Sequence, residues 1–257
     1  MTTVTSADGT PIGFDRTGSG PALVLVLGAF NDRTAGHALA VHLAAHFTVI
    51  NYDRRGRGDS GDTAPYAVER EVEDLAAMIE VAGGSAAVLG YSSGAVLAML
   101  AAAKGLPITK LALYDPPFPL AGRAPEYFDQ LATDIRAALD QGSPGKAVEL
   151  FQTRAVGIPP ETVAQIRQAP YWPALEKIAP TLEYESLILA TDPALPQRVA
   201  APTLVITGSH SPPALADAAA TLAGRLPDGT LRVLEGQTHD INPQTAGPVI
   251  TEFLTLP

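Results

Sequence analysis

The sequence predicts an α/β fold, a mostly parallel sheet with helices packed on both faces. Two observations carry that expectation. Short, continuous apolar runs recur at strand length, the mark of strands buried on both faces. These runs also alternate with helix-length segments, which is how parallel strands are connected.

Taken in order, Thr2 to Ser6 and Ile12 to Arg16 flank Ala7-Asp8-Gly9-Thr10 and read as a hairpin with a glycine turn. Ala22 to Leu27 (ALVLVL) is the first buried strand, and Phe47 to Asn51, Ala86 to Leu89, Ile108 to Tyr114 and Thr203 to Thr207 repeat its pattern. Thr230 to Leu234 is the expected last strand. Helices are predicted over Thr34 to His46, Val68 to Val81, Ser93 to Lys104, Pro213 to Leu226 and Pro243 to Leu254. The alternation breaks between Pro116 and Ala200, about 85 residues with helical patterns and no convincing buried strand; an unstructured loop of that length is unusual. A helical insertion over the carboxyl edge of the sheet is therefore expected, leaving 1–115 and 201–257 as the core and 116–200 as the insertion.

Composition narrows the function. A chain of 257 residues, 46% hydrophobic, can bury a full core as one domain. The net charge of −10 and the lack of a Lys/Arg cluster argue against nucleic acid. The absence of cysteine excludes disulfides, thiolate metal sites and a cysteine nucleophile. The polar stretch from Met1 to Gly20 does not read as a signal peptide, and Ala22 to Leu27 cannot span a bilayer, so a soluble cytoplasmic protein is expected. Gly18-Ser19-Gly20 precedes a strand instead of following it, which argues against a dinucleotide site.

The chemistry-bearing segment is Gly90-Tyr91-Ser92-Ser93-Gly94, placed between a buried strand and an alanine-rich helix. A sharp strand-to-helix turn holds the central serine in a strained conformation with its hydroxyl exposed, and the two glycines give the turn room. Ser92 is thus the candidate nucleophile, with Ser93 its nearest rival. The helix N-terminus brings the Ser93 N–H toward developing negative charge. Of five histidines, His37, His42 and His46 share one predicted helix. His42 and His46 have metal-compatible spacing, but no third ligand is evident and no metal is expected. His210 follows the Thr203–Thr207 strand and either lines a site or caps a loop. His239 lies in the loop after the last strand, where parallel sheets gather catalytic groups, and is the candidate general base.

Together with Leu27-Gly28-Ala29-Phe30, the run from Asp53 to Ser60 and the N-terminal hairpin, these residues resemble the α/β-hydrolase superfamily over nearly the whole chain. The resemblance implies the fold of that family with an inserted helical cap over the active site, and no cofactor. It implies an oxyanion hole made by the backbone N–H groups of Ala29 and Ser93. The run from Asp53 to Ser60 resembles a structural turn whose arginines and carboxylates pair locally. Many relatives carry the third triad residue just after the strand matching Thr203–Thr207, but Ser211 stands there in Gly208-Ser209-His210-Ser211-Pro212-Pro213. Asp115, ending the strand Ile108–Tyr114, is assigned the role instead, as in a subgroup of haloalkane dehalogenases that take their acid from that strand end. Asp240 is too close in sequence to His239 to reach its ring, and Asp217 reads as a helix-face residue. Phe30, Tyr91 and Trp172 are the candidate pocket aromatics.

The resemblance implies hydrolysis of an ester, thioester or lactone of a mainly apolar small molecule through an acyl-enzyme. A non-hydrolytic enzyme on the same triad, such as a perhydrolase, lyase or natural-product tailoring enzyme, stays open. So does a catalytically silent binding protein. The oligomeric state is not readable.

Overall fold

The structure, a computed structural model, describes residues 2–118 and 123–256. In chain order its elements are β1 (Thr2–Thr5), β2 (Pro11–Thr17), β3 (Ala22–Val26), α1 (Arg33–Leu43), β4 (Thr48–Tyr52), α2 (Val68–Ala82), β5 (Ala86–Tyr91), α3 (Ser93–Ala103) and β6 (Ile108–Tyr114). There follow α4 (Pro125–Asp140), α5 (Pro144–Phe151), α6 (Pro160–Ile166), α7 (Trp172–Ile178), α8 (Thr181–Leu189), β7 (Thr203–Gly208), α9 (Pro213–Ala223), β8 (Gly229–Leu234) and α10 (Pro243–Thr255).

The strands form one eight-stranded sheet of order β1-β2-β4-β3-β5-β6-β7-β8. β1 and β2 pair antiparallel, as does β2 with β4, and every later pairing is parallel. Alternation along each strand sorts the side chains by face. Leu23, Leu25, Val49, Leu89, Tyr114 and Ile206 form one buried cluster with Leu39 and Leu43 of α1 and Ile250 of α10. Their neighbours Val24, Val26, Ile50 and Val88 are equally buried and point the other way, toward the side packed by α2 and α3. α3 is buried from Ser93 through Ala101, so it is a helix of the core and not a surface helix.

The chain divides into two compact units, Met1–Gly122 with Pro193–Pro257, and Arg123–Asp192. The sheet and its flanking helices lie in the first. The second consists of α4 to α8 and, among the described residues, holds no strand. Residues 119–122 of the helical insertion expected from the sequence fall outside the described residues. Within the second unit, α4 packs on α5 and α8 through buried Phe128, Leu131 and Ile135. There the guanidiniums of Arg123 and Arg154 lie 5.2 and 5.4 Å from the ring of Tyr127. Among the described residues, no helix is long and apolar enough to cross a membrane.

The turn from Asp53 to Ser60 departs from the local pairing expected of it. Arg54 reaches Glu71 and Arg55 reaches Asp74, both on α2, while Arg55 also meets Asp8 in the hairpin. Asp53 is held by Arg33 and by the backbone N–H groups of Arg33 and Asp59. These pairs join the hairpin, the turn and α2.

Candidate active site

β5 runs into α3 through a single residue, Ser92, whose φ of 54° and ψ of −129° lie in a region that L-residues rarely occupy. The flanking glycines are a steric requirement. A Cβ on Gly90 would stand 2.5 Å from the Ala95 Cα, and one on Gly94 would stand 2.2 Å from the Val26 carbonyl oxygen. The turn is pinned by the Ser92 N–H donating to the Tyr114 carbonyl at 2.9 Å. Ser92 is half-buried while Ser93 is buried. Strained backbone and partial exposure therefore coincide at one serine.

The next strand over, β6, ends in Asp115. This residue also has positive φ, 45°, and is fully buried. Its N–H donates to the Ile206 carbonyl at 2.8 Å, which ties it to β7. Its Oδ2 lies 3.0 Å from His239 Nδ1 and accepts a hydrogen bond from Ser211 Oγ at 2.6 Å. The other oxygen, Oδ1, is buried with no partner among the described residues.

His239 is placed by the loop after β8. Tyr114, the residue before Asp115, donates its hydroxyl to the Thr238 carbonyl at 2.7 Å. The Tyr91 ring lies 5.0 Å from the imidazole at 33°, so the candidate base is flanked by the residue preceding the candidate nucleophile. Among the described residues no hydrogen bond joins Ser92 Oγ to His239. Catalytic contacts of this kind commonly tighten only when substrate is bound. Burial, then the charges of Asp115 and Asp240, push the Tyr114 phenol up to about 12. Burial pushes Tyr91 up as well, aided by Asp240 and Asp115, so both phenols stay protonated and able to donate. Tyr114→Phe should lower stability by about 1 kcal/mol, the usual value of one such hydrogen bond. Urea unfolding of the two proteins checks this, and an unchanged midpoint would mean that the loop is held by its other contacts.

The remaining candidates are spread unevenly. The Ala29 N–H donates to Ser93 Oγ at 3.0 Å, so its first partner in this structure is a side chain and not an open hole. Phe30 is half-buried with φ of 61°. Tyr91 lines a cavity of about 240 Å³ together with Leu27, Asn31, Leu39, Asp240 and Ile241. Trp172 lies in the second unit, buried, its indole N–H donating to Glu176 at 2.7 Å. His42 packs against Gly247 of α10, close enough that a Cβ there would fall 2.3 Å from the ring. His37 and His210 are exposed. Sequence reasoning missed the anchoring role of Tyr114, which read only as a strand residue, and the hydroxyl link from Ser211 to Asp115.

A family model described as "Alpha/beta hydrolase family" matches residues 23–250. The chain belongs to that family. This α/β hydrolase is 50% identical to a structurally determined α/β hydrolase from Sphaerobacter thermophilus, with a TM-score of 0.89 over 99% of this chain and 100% of that one. It is 27% identical over 252 residues to 2-(acetamidomethylene)succinate hydrolase of Mesorhizobium japonicum, covering 92% of this chain and 89% of the relative. Its likeness to an uncharacterized hydrolase of Bacillus subtilis is local, 37% over 95 residues, and spans 35% of each chain. The family and the names of its relatives support a hydrolase.

Proposed function

We propose that this α/β hydrolase cleaves an ester, thioester or lactone of a mainly apolar small molecule through an acyl-enzyme on Ser92. The observation that carries the reading is the 3.0 Å contact between His239 Nδ1 and the buried carboxylate of Asp115. A carboxylate on Nδ1 selects the tautomer that carries its proton there, and leaves Nε2 as the basic nitrogen. The sequence pattern that favoured a silent binding protein was a serine at position 211. With Asp115 beside His239, and Ser211 donating to it, that argument loses its force.

In this reading His239 Nε2 takes the Ser92 hydroxyl proton as Oγ attacks the acyl carbon, and the carbonyl electrons move to oxygen. The Ser93 N–H, one of the first-turn donors of α3 without an intrahelical partner, faces that developing charge, with the Ala29 loop opposite. The tetrahedral species collapses as His239 gives the proton to the leaving oxygen or sulfur, and water then hydrolyses the acyl-serine by the same steps in reverse order. Phe30 and Tyr91 are the aromatics assigned to the substrate side. The relative from Mesorhizobium is named a 2-(acetamidomethylene)succinate hydrolase, which supports hydrolysis as the reaction class.

The test is intact-protein mass after exposure to a fluorophosphonate probe. Wild type should gain one adduct, Ser92→Ala none, and His239→Ala should label far more slowly. No adduct on folded wild type, with turnover absent across an ester and lactone panel, would overturn the proposal.

A further inference from the structure

We infer that the side-chain hydroxyl of Ser93 is itself an oxyanion donor, so that Ser93 contributes an O–H as well as its backbone N–H. The inference rests on the acyl-enzyme reading above and adds a residue role to it. Ser93 occupies the first position of α3 and is only 2% exposed. Its Oγ accepts the Ala29 N–H at 3.0 Å. Among the described residues the hydroxyl donates to nothing in return, and at the first position of α3 no preceding helical carbonyl is there to receive it. A buried O–H whose oxygen is engaged and whose proton is unspent lacks an acceptor, and an acceptor arrives when a substrate carbonyl becomes an alkoxide.

The location fits. The Gly28 Cα is pressed so closely on the elbow that a Cβ there would stand 2.8 Å from the Ser92 Cβ and 3.3 Å from the Ser93 Oγ. The hydroxyl therefore lies against the loop that carries Gly28 and Ala29, on the side where that loop meets Ser92. Accepting the Ala29 N–H polarises the Ser93 O–H and makes it a better donor, as happens along any hydrogen-bonded chain. Ala29 then acts on the oxyanion through Ser93, which compensates for an N–H that points at a side chain. The competing geometry is a plug, in which the hydroxyl merely occupies the Ala29 N–H until substrate displaces it. The two predict opposite signs.

The experiment compares wild type, Ser93→Ala and Ser93→Thr. It reads kcat and KM on a p-nitrophenyl ester, and inhibition by an aryl trifluoromethyl ketone whose serine adduct carries the oxyanion. Thermal unfolding shows that each variant is folded. Ser93→Ala should lower kcat by about 10²-fold, the usual cost of one oxyanion donor, with KM little changed and ketone affinity falling in parallel. Ser93→Thr, which keeps a hydroxyl, should recover most of both losses. Equal or faster turnover in Ser93→Ala overturns the inference in favour of the plug. A loss that Ser93→Thr does not recover, or that falls on KM alone, overturns it in favour of a packing role. Wild type that neither turns over nor labels at Ser92 overturns the acyl-enzyme reading itself, and this role falls with it.

Discussion

Ser92→Ala is expected to lower kcat by about 10⁶-fold and Asp115→Asn by about 10⁴-fold, a separation that orders the two residues by role. In the proposed mechanism no acyl-enzyme forms without the Ser92 Oγ, and only the water reaction helped by binding remains. Asparagine at 115 leaves Ser92 and His239 in place. Its amide, however, donates toward Nδ1 or offers it only a neutral acceptor, so the imidazole is held in the wrong tautomer and its cation is no longer stabilised. Ser211 sharpens the test, because its Oγ lies 2.6 Å from the Asp115 Oδ2 and so occupies the neighbouring corner of the same buried site. Adding Ser211→Asp to Asp115→Asn restores a carboxylate there and should recover about tenfold or more of the lost kcat. Ser211→Asp in the wild type should do the reverse, since two buried carboxylates so close cannot both ionise. Steady-state kinetics on one ester, with circular dichroism to confirm folding, reads all four proteins. An Asp115→Asn enzyme within twofold of wild type would mean that another group orients His239.

Much of this architecture was legible in the sequence because burial on both faces leaves so plain a pattern. β3, β5, β6 and β7 are near-continuous apolar runs, and their order with the intervening helices admits few topologies. The elbow was legible for a related reason: Gly90 and Gly94 are forced by backbone contacts close to 2 Å, so the spacing around Ser92 encodes geometry directly. What the sequence hid was long-range and polar. Glu71 lies between Leu75 and Met78 on the apolar face of α2, with Asp74 at its edge, and both are buried against arginines 17 and 19 residues away. Their place on that face marks them as buried, but helical spacing does not say which arginines they meet. Tyr114 and Thr238 are 124 residues apart, and Ala29 and Ser93 are 64 apart. Neither link follows from periodicity, because a hydrogen bond between distant segments depends on the packed geometry of both.

Arg54→Met should destabilise the fold by about 3–5 kcal/mol, the cost of leaving one member of a buried ion pair uncompensated. For a chain of this size that corresponds to a fall in Tm of about 10 °C. The pair is bidentate, Nε to Oε2 at 2.6 Å and Nη2 to Oε1 at 2.8 Å, with both side chains 1% exposed. Burial alone pushes the Glu71 carboxyl up. The charge and hydrogen bonds of Arg54, with Arg57 and Tyr66, outweigh burial and hold it below the ordinary glutamate range. A carboxyl lowered in the folded state contributes stability that is present above the ordinary glutamate range and lost as pH falls through the lowered value. Removing Arg54 leaves burial in charge, so the folded carboxyl should rise above its unfolded value and the sign inverts. Arg54→Met should therefore be weakest at neutral pH and regain stability on mild acidification, where wild type is flat or declining. Urea unfolding at neutral and mildly acid pH reads both limbs. A loss below about 1 kcal/mol with unchanged pH dependence would show that water or Arg57 replaces the guanidinium. The same change reaches the active site, because Arg54 Nη1 donates to the Leu27 carbonyl at 3.1 Å, two residues before Ala29. Turnover should consequently fall even where the variant is fully folded, which would tie the stability of this charged turn to the placement of the loop proposed to bind the oxyanion.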